Sequence, residues 1–311
     1  MKIICIYHSR DLDGWMSAAI VKHWFEETVN RKGEEDIPVD SLDFIGYDYG
    51  QPIPDLNEYD KVIMCDVSFP PDKMEEVYDS SEFIWIDHHK SAIEASKWIN
   101  NTVDGLRDTN YAACELTWKY FFPDEEIPEI VRLLGRYDCF GHKGTDEEQK
   151  VLEFQYGARH YMNNYNDCYT WLTGNGTEES LVNAILDYGI PIYQYLCTEA
   201  KQIYSKAFEI LLVENKEDVT VGEQVKKFLC VNQERFNPIN FGIDYHKEGY
   251  DGFACFWLKD GKWMWSLYND NGQVDCSLIA KQYGGGGHKG AAGFVCDRNT
   301  MLNIIKRISK I

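Results

Sequence analysis

Positive charge is what this sequence has least of: 31 Lys+Arg stand against 51 Asp+Glu in 311 residues, a formal net charge of -20. Surfaces that grip long nucleic acids are basic, because neutralising phosphates supplies most of that affinity. The chain as a whole repels a long polyanion. Long duplex nucleic acid is thereby excluded as a partner, and an anionic substrate needs a small local site or a bound cation. Long apolar runs are also missing. None approaches the length needed to span a bilayer, so no membrane role is expected. The start, Met1-Lys2-Ile3-Ile4-Cys5-Ile6, is too short for a signal-peptide core and soon meets charged residues. The ten cysteines include no C-x-x-C pair, which leaves a structural zinc site or a thioredoxin-like motif without support. Several stand in apolar runs, as Cys5 does, and read as buried free thiols of a reducing compartment, the cytoplasm. Internal repeats, low-complexity segments and a Walker A loop are absent.

What is present is a globular composition, 44% hydrophobic and 26% charged, in a chain long enough for two domains. The first hundred residues alternate strand and helix signals. Strands are expected at Lys2–Tyr7, Leu42–Tyr47, Lys61–Val67 and Glu82–Asp87, and helices at Asp13–Val29 and Asp72–Tyr78. Near-continuous apolar strands separated by helices imply an α/β fold with a parallel sheet covered on both faces. Helices are expected around Ala112–Phe121 and Pro128–Tyr137, and residues 146–215 read as mostly helical. From about Gly222 the pattern alternates again, with strands at Phe228–Val231, Gly252–Leu258, Lys262–Tyr268 and Ala291–Val295 and helices at Cys276–Tyr283 and Thr300–Ile308. The expected organisation is a parallel-sheet N-terminal domain (1–175), a helical connector (176–221) and a smaller α/β C-terminal domain (222–311).

Three strand ends in the first domain stop at polar clusters: His8-Ser9-Arg10-Asp11-Leu12-Asp13-Gly14, Cys65-Asp66-Val67, and Asp87-His88-His89-Lys90-Ser91. Ligands of open parallel sheets bind beyond the carboxyl ends of the strands, so the three clusters should converge. Carboxylates and imidazoles without thiolate suit Mn2+ or Mg2+, with Fe2+ or Co2+ as further options. One Asp bridging two cations would hold them roughly 3.5–4 Å apart, the arrangement for in-line phosphoryl displacement. Singly, Asp13 reads equally as a helix N-cap and Asp66 as a turn residue. Asp87-His88-His89 has no such structural purpose, and with His8 and His288 its pair accounts for four of the eight histidines. A second feature is Gly284-Gly285-Gly286-Gly287-His288-Lys289-Gly290-Ala291-Ala292-Gly293. Its glycines free the backbone to approach phosphate or carboxylate oxygens, and His288 and Lys289 add charge; one or two glycines would suffice for a helix cap.

These residues resemble the DHH phosphoesterase family, named for its third motif. Asp11-Leu12-Asp13-Gly14 is similar to motif one, Asp66 to motif two, Asp87-His88-His89 to motif three and Arg136-Tyr137-Asp138 to motif four. The run Gly284–Phe294 is similar to the glycine-rich signature of the DHH-associated C-terminal domain, which marks the nano-RNase, oligoribonuclease and single-strand exonuclease branch. The resemblance implies two divalent cations, Mn2+ foremost. His8, Asp11 and Asp66 would hold one, and Asp13, Asp66, His88 and Asp138 the other. Asp87 would orient a ligand histidine and His89 would face the substrate phosphate. Gly284, Gly285, Gly286, Gly287, His288 and Lys289 would hold substrate across a cleft between the domains. The implied activity is a metal-dependent phosphodiesterase on short oligonucleotides or linear dinucleotides, and a homodimer is compatible with it. Two alternatives stand beside it: a phosphomonoesterase on a 3′-phosphorylated nucleotide or an exopolyphosphatase, and a non-catalytic nucleotide-binding regulator. Two departures are visible. His8 stands three residues before Asp11, where a spacing of four is usual, and Ser266-Leu267-Tyr268-Asn269 occupies the place of a Ser-x-Arg-Ser stretch. Tyr268 could stack on a base there.

Overall fold

The computed structural model of the chain describes residues 1–31, 41–99, 102–214 and 224–306. The chain divides into two compact units, Met1–Tyr193 and Gln194–Ile311. The first holds β1 (Lys2–His8), α1 (Leu12–Arg31), β2 (Ser41–Tyr47), β3 (Lys61–Cys65), α2 (Pro71–Ser80), β4 (Glu82–Ile86) and α3 (Lys90–Ala95). It continues through α4 (Ala113–Phe121), α5 (Glu129–Asp138), α6 (Glu148–Tyr161) and α7 (Tyr165–Leu172) into α8 (Glu178–Tyr204). The strands form one sheet in the order β2-β1-β3-β4, and every pairing is parallel.

The alternation of side chains along each strand explains why both faces are apolar. Ile4, Ile6, Val62, Met64, Phe83 and Trp85 pack with Met74 and Val77 of α2 on one side. Ile3, Cys5, Tyr7, Ile63, Cys65, Ile84 and Ile86 pack with Ala18 and Val21 of α1 and Leu116 of α4 on the other. A parallel pair cannot close through a tight hairpin, so the helices that cross between strands become the two outer layers. All four strands therefore end on the same edge of the sheet.

The second unit contains β5 (Phe208–Glu214), β6 (Gln224–Asn232), β7 (Gly252–Lys259), β8 (Lys262–Tyr268), α9 (Cys276–Lys281), β9 (Gly286–Gly287), β10 (Ala291–Cys296) and α10 (Arg298–Lys306). Its sheet runs β5-β6-β7-β8-β10-β9. Only β6 and β7 pair in parallel; the other neighbours are antiparallel. One face packs Phe228, Trp265 and Phe294 with Ile279 of α9 and Ile304 of α10, and the opposite face packs Phe253 and Tyr245 with Ala200 of α8.

One element departs from the sequence reading. Residues 208–214 lie in the stretch read as helical, yet form β5, paired antiparallel with β6. Its burial alternates at Ile210, Leu212 and Glu214, a period-two pattern hidden behind the 27 residues of α8. The division of the units falls within α8, and the boundary expected near Gly222 lies outside the described residues, as does the end of the helix expected to reach Ile308. All ten cysteines are free, and eight of them are buried. Among the described residues no helix is long and apolar enough to cross a membrane.

Candidate metal centre

Because β1, β3 and β4 are parallel neighbours, His8, Asp66 and the Asp87-His88-His89 run leave the sheet side by side. Asp11 and Asp13 frame the start of α1, and Asp138 is the last residue of α5. Gly14 makes the first turn of α1 fit: a Cβ there would sit 2.0 Å from the carbonyl oxygen of His8. Asp66 adopts φ 61°, a left-handed conformation that costs an L residue roughly 1–2 kcal/mol and that aspartate tolerates better than most. Its N–H is held by Ile86 O at 3.0 Å.

The two oxygens of Asp66 turn toward different partners. Oδ2 lies 3.4 Å from His8 Nδ1, which is 2.8 Å from Asp11 Oδ2. Oδ1 lies 3.3 Å from His88 Nε2, which is 3.3 Å from Asp138 Oδ2 and 3.6 Å from Asp13 Oδ2. Donor atoms of His8, Asp11 and Asp66 fall within 4.8 Å of one another, and so do those of Asp13, His88 and Asp138, and of Asp66, His88 and His89. Both Asp66 oxygens and His88 Nε2 are buried without an aligned hydrogen bond. Buried polar atoms are otherwise almost always paired, so three orphans at one point call for a ligand. Oxygen and imidazole donors around a carboxylate whose two oxygens face different sets fit a pair of hard divalent cations.

Electrostatics agree with the geometry. Burial, with Asp66 and Asp11 nearby, pushes Asp13 up to about 7, and burial with Asp13 nearby does the same to Asp138. Burial also raises Asp66. Burial lowers His8 and His88, but the carboxylates beside them outweigh it and lift both to about 10. Crowded carboxylates thus hold protons, on themselves or on imidazoles, wherever no cation neutralises them.

Two of the expected residues are fixed in unexpected ways. Asp13 caps a helix, but not its own: its oxygens accept from Ala113 N (2.9 Å) and Cys114 N (2.7 Å), the first turn of α4. Asp87 Oδ1 accepts from the His88 N–H (2.7 Å) and the His89 N–H (3.0 Å) and lies 2.8 Å from His89 Nδ1. The ring that Asp87 orients is therefore that of His89.

Three further features escaped the sequence reading. Asp48, after β2, places Oδ1 3.7 Å from His8 Nε2 and accepts from Arg10 Nε; the strand-end rule applied to Leu42–Tyr47 would have found it. Glu115, buried in α4, accepts from Ala112 N (3.0 Å) and from Arg136 Nη2 (2.6 Å), tying the helix that Asp13 caps to the end of α5 that carries Asp138. In the second unit, Arg235 lines two adjoining hollows of about 350 and 370 Å3. Gly284 and Gly285 line the first; Gly286, Gly287 and Tyr268 line the second; Ser266 lines both. His288 and Lys289 line neither. They are exposed in the turn between β9 and β10, where His288 N donates to Ala291 O.

The glycines of the run differ in kind. Gly284 and Gly287 have φ of 75° and 139°, and a Cβ on Gly285 would lie 2.1 Å from Gly293 O. Gly286 has neither constraint: a Cβ there meets nothing within 4 Å. The fold explains three glycines and leaves the fourth unexplained.

Residues 2–134 match the DHH family, N-terminal domain. The chain carries a DHH-family domain. Its match spans motifs one to three and stops four residues before Asp138, so Asp138 and the second unit lie beyond the DHH span. An uncharacterized protein of Acanthamoeba polyphaga mimivirus is 28% identical over 307 residues, 93% of this chain; the chain spans 66% of that relative's length. Among solved structures, exonuclease RecJ bound to manganese is similar at 14% identity and a TM-score of 0.51, over 99% of this chain and 89% of that one. An exopolyphosphatase-related protein from Bacteroides fragilis is similar at 14% identity and a TM-score of 0.50, over 99% and 90%. At such identity the likeness is one of fold, and it extends over both units.

Proposed function

We propose that this DHH-family chain, a phosphoester hydrolase, cleaves short oligonucleotides or linear dinucleotides at a centre holding two divalent cations, Mn2+ foremost. The observation that carries the reading is Asp66, buried, with its two oxygens, neither in an aligned hydrogen bond, turned toward two separate donor sets. His8 and Asp11 complete one set, and Asp13, His88 and Asp138 the other. Cations bound there supply Lewis acidity and lower the pKa of water. Asp87 holds His89 at Nδ1, leaving Nε2, at the far side of the ring, to bear a proton for the departing oxygen. Burial lowers the pKa of His89, but Asp87 beside it raises it further, so the ring is charged more readily than a free imidazole.

Substrate size follows from charge. A net charge of -20 disfavours a long strand, and among the described residues Arg235 is the one cation lining either hollow of the second unit. We assign to those hollows, with Gly284–Gly287, Tyr268 and Arg235, the binding of a terminal phosphate or base, with His288 and Lys289 at their margin. The free thiols favour a reducing compartment, the cytoplasm. The test is a substrate panel with Mn2+: an RNA dinucleotide, a DNA dinucleotide, a long single strand, 3′-phosphoadenosine 5′-phosphate and inorganic polyphosphate. Fastest turnover of a dinucleotide is expected. Fastest turnover of polyphosphate or of the 3′-monoester would replace this reading with the corresponding alternative.

A further inference from the structure

Tyr49 is a half-exposed aromatic, 50% accessible, set directly against the candidate centre. Its ring centroid lies 6.1 Å from that of His8 and 6.4 Å from that of His89. It follows β2, whose end brings Asp48 and no histidine. Its N–H is hydrogen-bonded to the Asp48 carboxylate, and its hydroxyl to Ser68, two residues beyond Asp66. The ring thus lies among the loops after the four strands and keeps one side in water.

Single exposed aromatics are ordinary on protein surfaces. This one is distinguished by its neighbours, a ligand histidine and the histidine that faces the scissile group. A substrate built only of phosphates would gain nothing from an apolar wall there, whereas a nucleobase would gain a π-face already fixed in place. We propose that the ring of Tyr49 is the wall on which a nucleobase of the substrate stacks beside the metal centre, and that it selects nucleotide esters over inorganic phosphate chains. The proposal rests on the reading of the substrate as a short oligonucleotide.

The experiment compares an RNA dinucleotide with an analogue in which one nucleoside is abasic, with Mn2+ present and metal content checked. Tyr49→Ala should raise KM for the dinucleotide about 5- to 150-fold and leave KM for the abasic analogue unchanged. Tyr49→Phe should keep the wild-type KM, since the face and not the hydroxyl does the stacking. Independently of turnover, the fluorescence of Tyr49→Trp should be quenched by AMP and not by ribose 5-phosphate. Equal losses on both substrates, or Tyr49→Phe behaving like Tyr49→Ala, overturn the stacking role. Wild-type enzyme that ignores dinucleotides and cleaves polyphosphate overturns both readings, while dinucleotide turnover insensitive to Tyr49→Ala overturns this one alone.

Discussion

The two units put chemistry into different parts of the chain. In the first, a four-stranded parallel sheet delivers buried carboxylates and imidazoles from its strand ends, and the information lies in side chains. In the second, a largely antiparallel sheet carries a glycine run and a single arginine beside it, and most of the information lies in backbone and empty space. Side-chain ligands that crowd like charges make an arrangement that needs cations. Backbone lined by glycine makes a surface that needs a substrate. Changes to the ligand set of the first unit should therefore act on metal binding and turnover, and changes to the hollows of the second on KM alone.

The sharpest break of that comparison is Asp66→Asn. Loss of groups that merely support metal ligands costs roughly 10–100-fold, so loss of the carboxylate shared by both donor sets should exceed that range in kcat. A chelator should do the same to the wild type, and added Mn2+ should reverse it. Turnover by Asp66→Asn within tenfold of wild type would make that carboxylate a turn residue only.

Next in size is Arg235→Ala. A charged hydrogen bond to a phosphate is worth roughly 1.5–3 kcal/mol, about 10- to 150-fold. The loss should appear in kcat/KM through KM, with metal content unchanged. A drop in bound metal would erase the division of labour between the units.

Glu115→Ala sharpens the comparison from the other side. It leaves Arg136 without its carboxylate and Ala112 N without its acceptor. We expect a stability loss of roughly 2–4 kcal/mol, reduced from the fully buried case because Arg136 reaches water. Metal binding at the Asp13, His88 and Asp138 set should weaken more than at the His8, Asp11 and Asp66 set. Equal weakening, read by calorimetric titration, would remove Glu115 from the support of that set.

The pH response should have a definite sign. With no cation bound, Asp13 and Asp138 keep protons up to about pH 7, and His8 and His88 to about pH 10. Folded pKa values raised above the unfolded ones stabilise the metal-free chain at low pH, and that gain is lost as pH rises through them. Mn2+ must displace these protons, so its affinity and the Tm increase it confers should grow from pH 5.5 to pH 8. Titration in buffers of different ionisation enthalpy should register proton release, and its absence would contradict the charge pattern.

The smallest effects separate the hollow from its rim. Gly286→Val has room in the fold, so Tm should hold while KM for a dinucleotide rises several-fold. His288→Ala, in the exposed turn, should change KM less than Gly286→Val does. The reverse order would move the substrate from the hollow to the turn.

The side-chain region was the more legible of the two. Apolar strands that stop at Asp or His mark a sheet edge in the sequence itself, and the histidine pair after β4 had no competing structural explanation. Asp48 and Tyr49 were missed because Gly50 and Pro52 make the end of β2 look like any turn. Glu115 was missed because its partners, Ala112 N and Arg136, meet only through helix packing. Arg235 stands in a loop, at φ 47°, far in sequence from the glycine run; only the sheet order brings the two to one hollow. β5 was hidden by the long helix before it. Spacing reads what one segment does alone, and these features arise from pairings between segments.

The central claim is that Asp66 is shared between two cations. Mn2+ binding to the wild type and to Asp66→Asn, followed by calorimetry and by electron paramagnetic resonance, tests it most directly. The account predicts two Mn2+ per wild-type chain with a spin-coupled spectrum. In the variant it predicts loss of the coupling and weakening of both sites. Two tightly bound, coupled Mn2+ in Asp66→Asn, or a single uncoupled Mn2+ in the wild type, would contradict it.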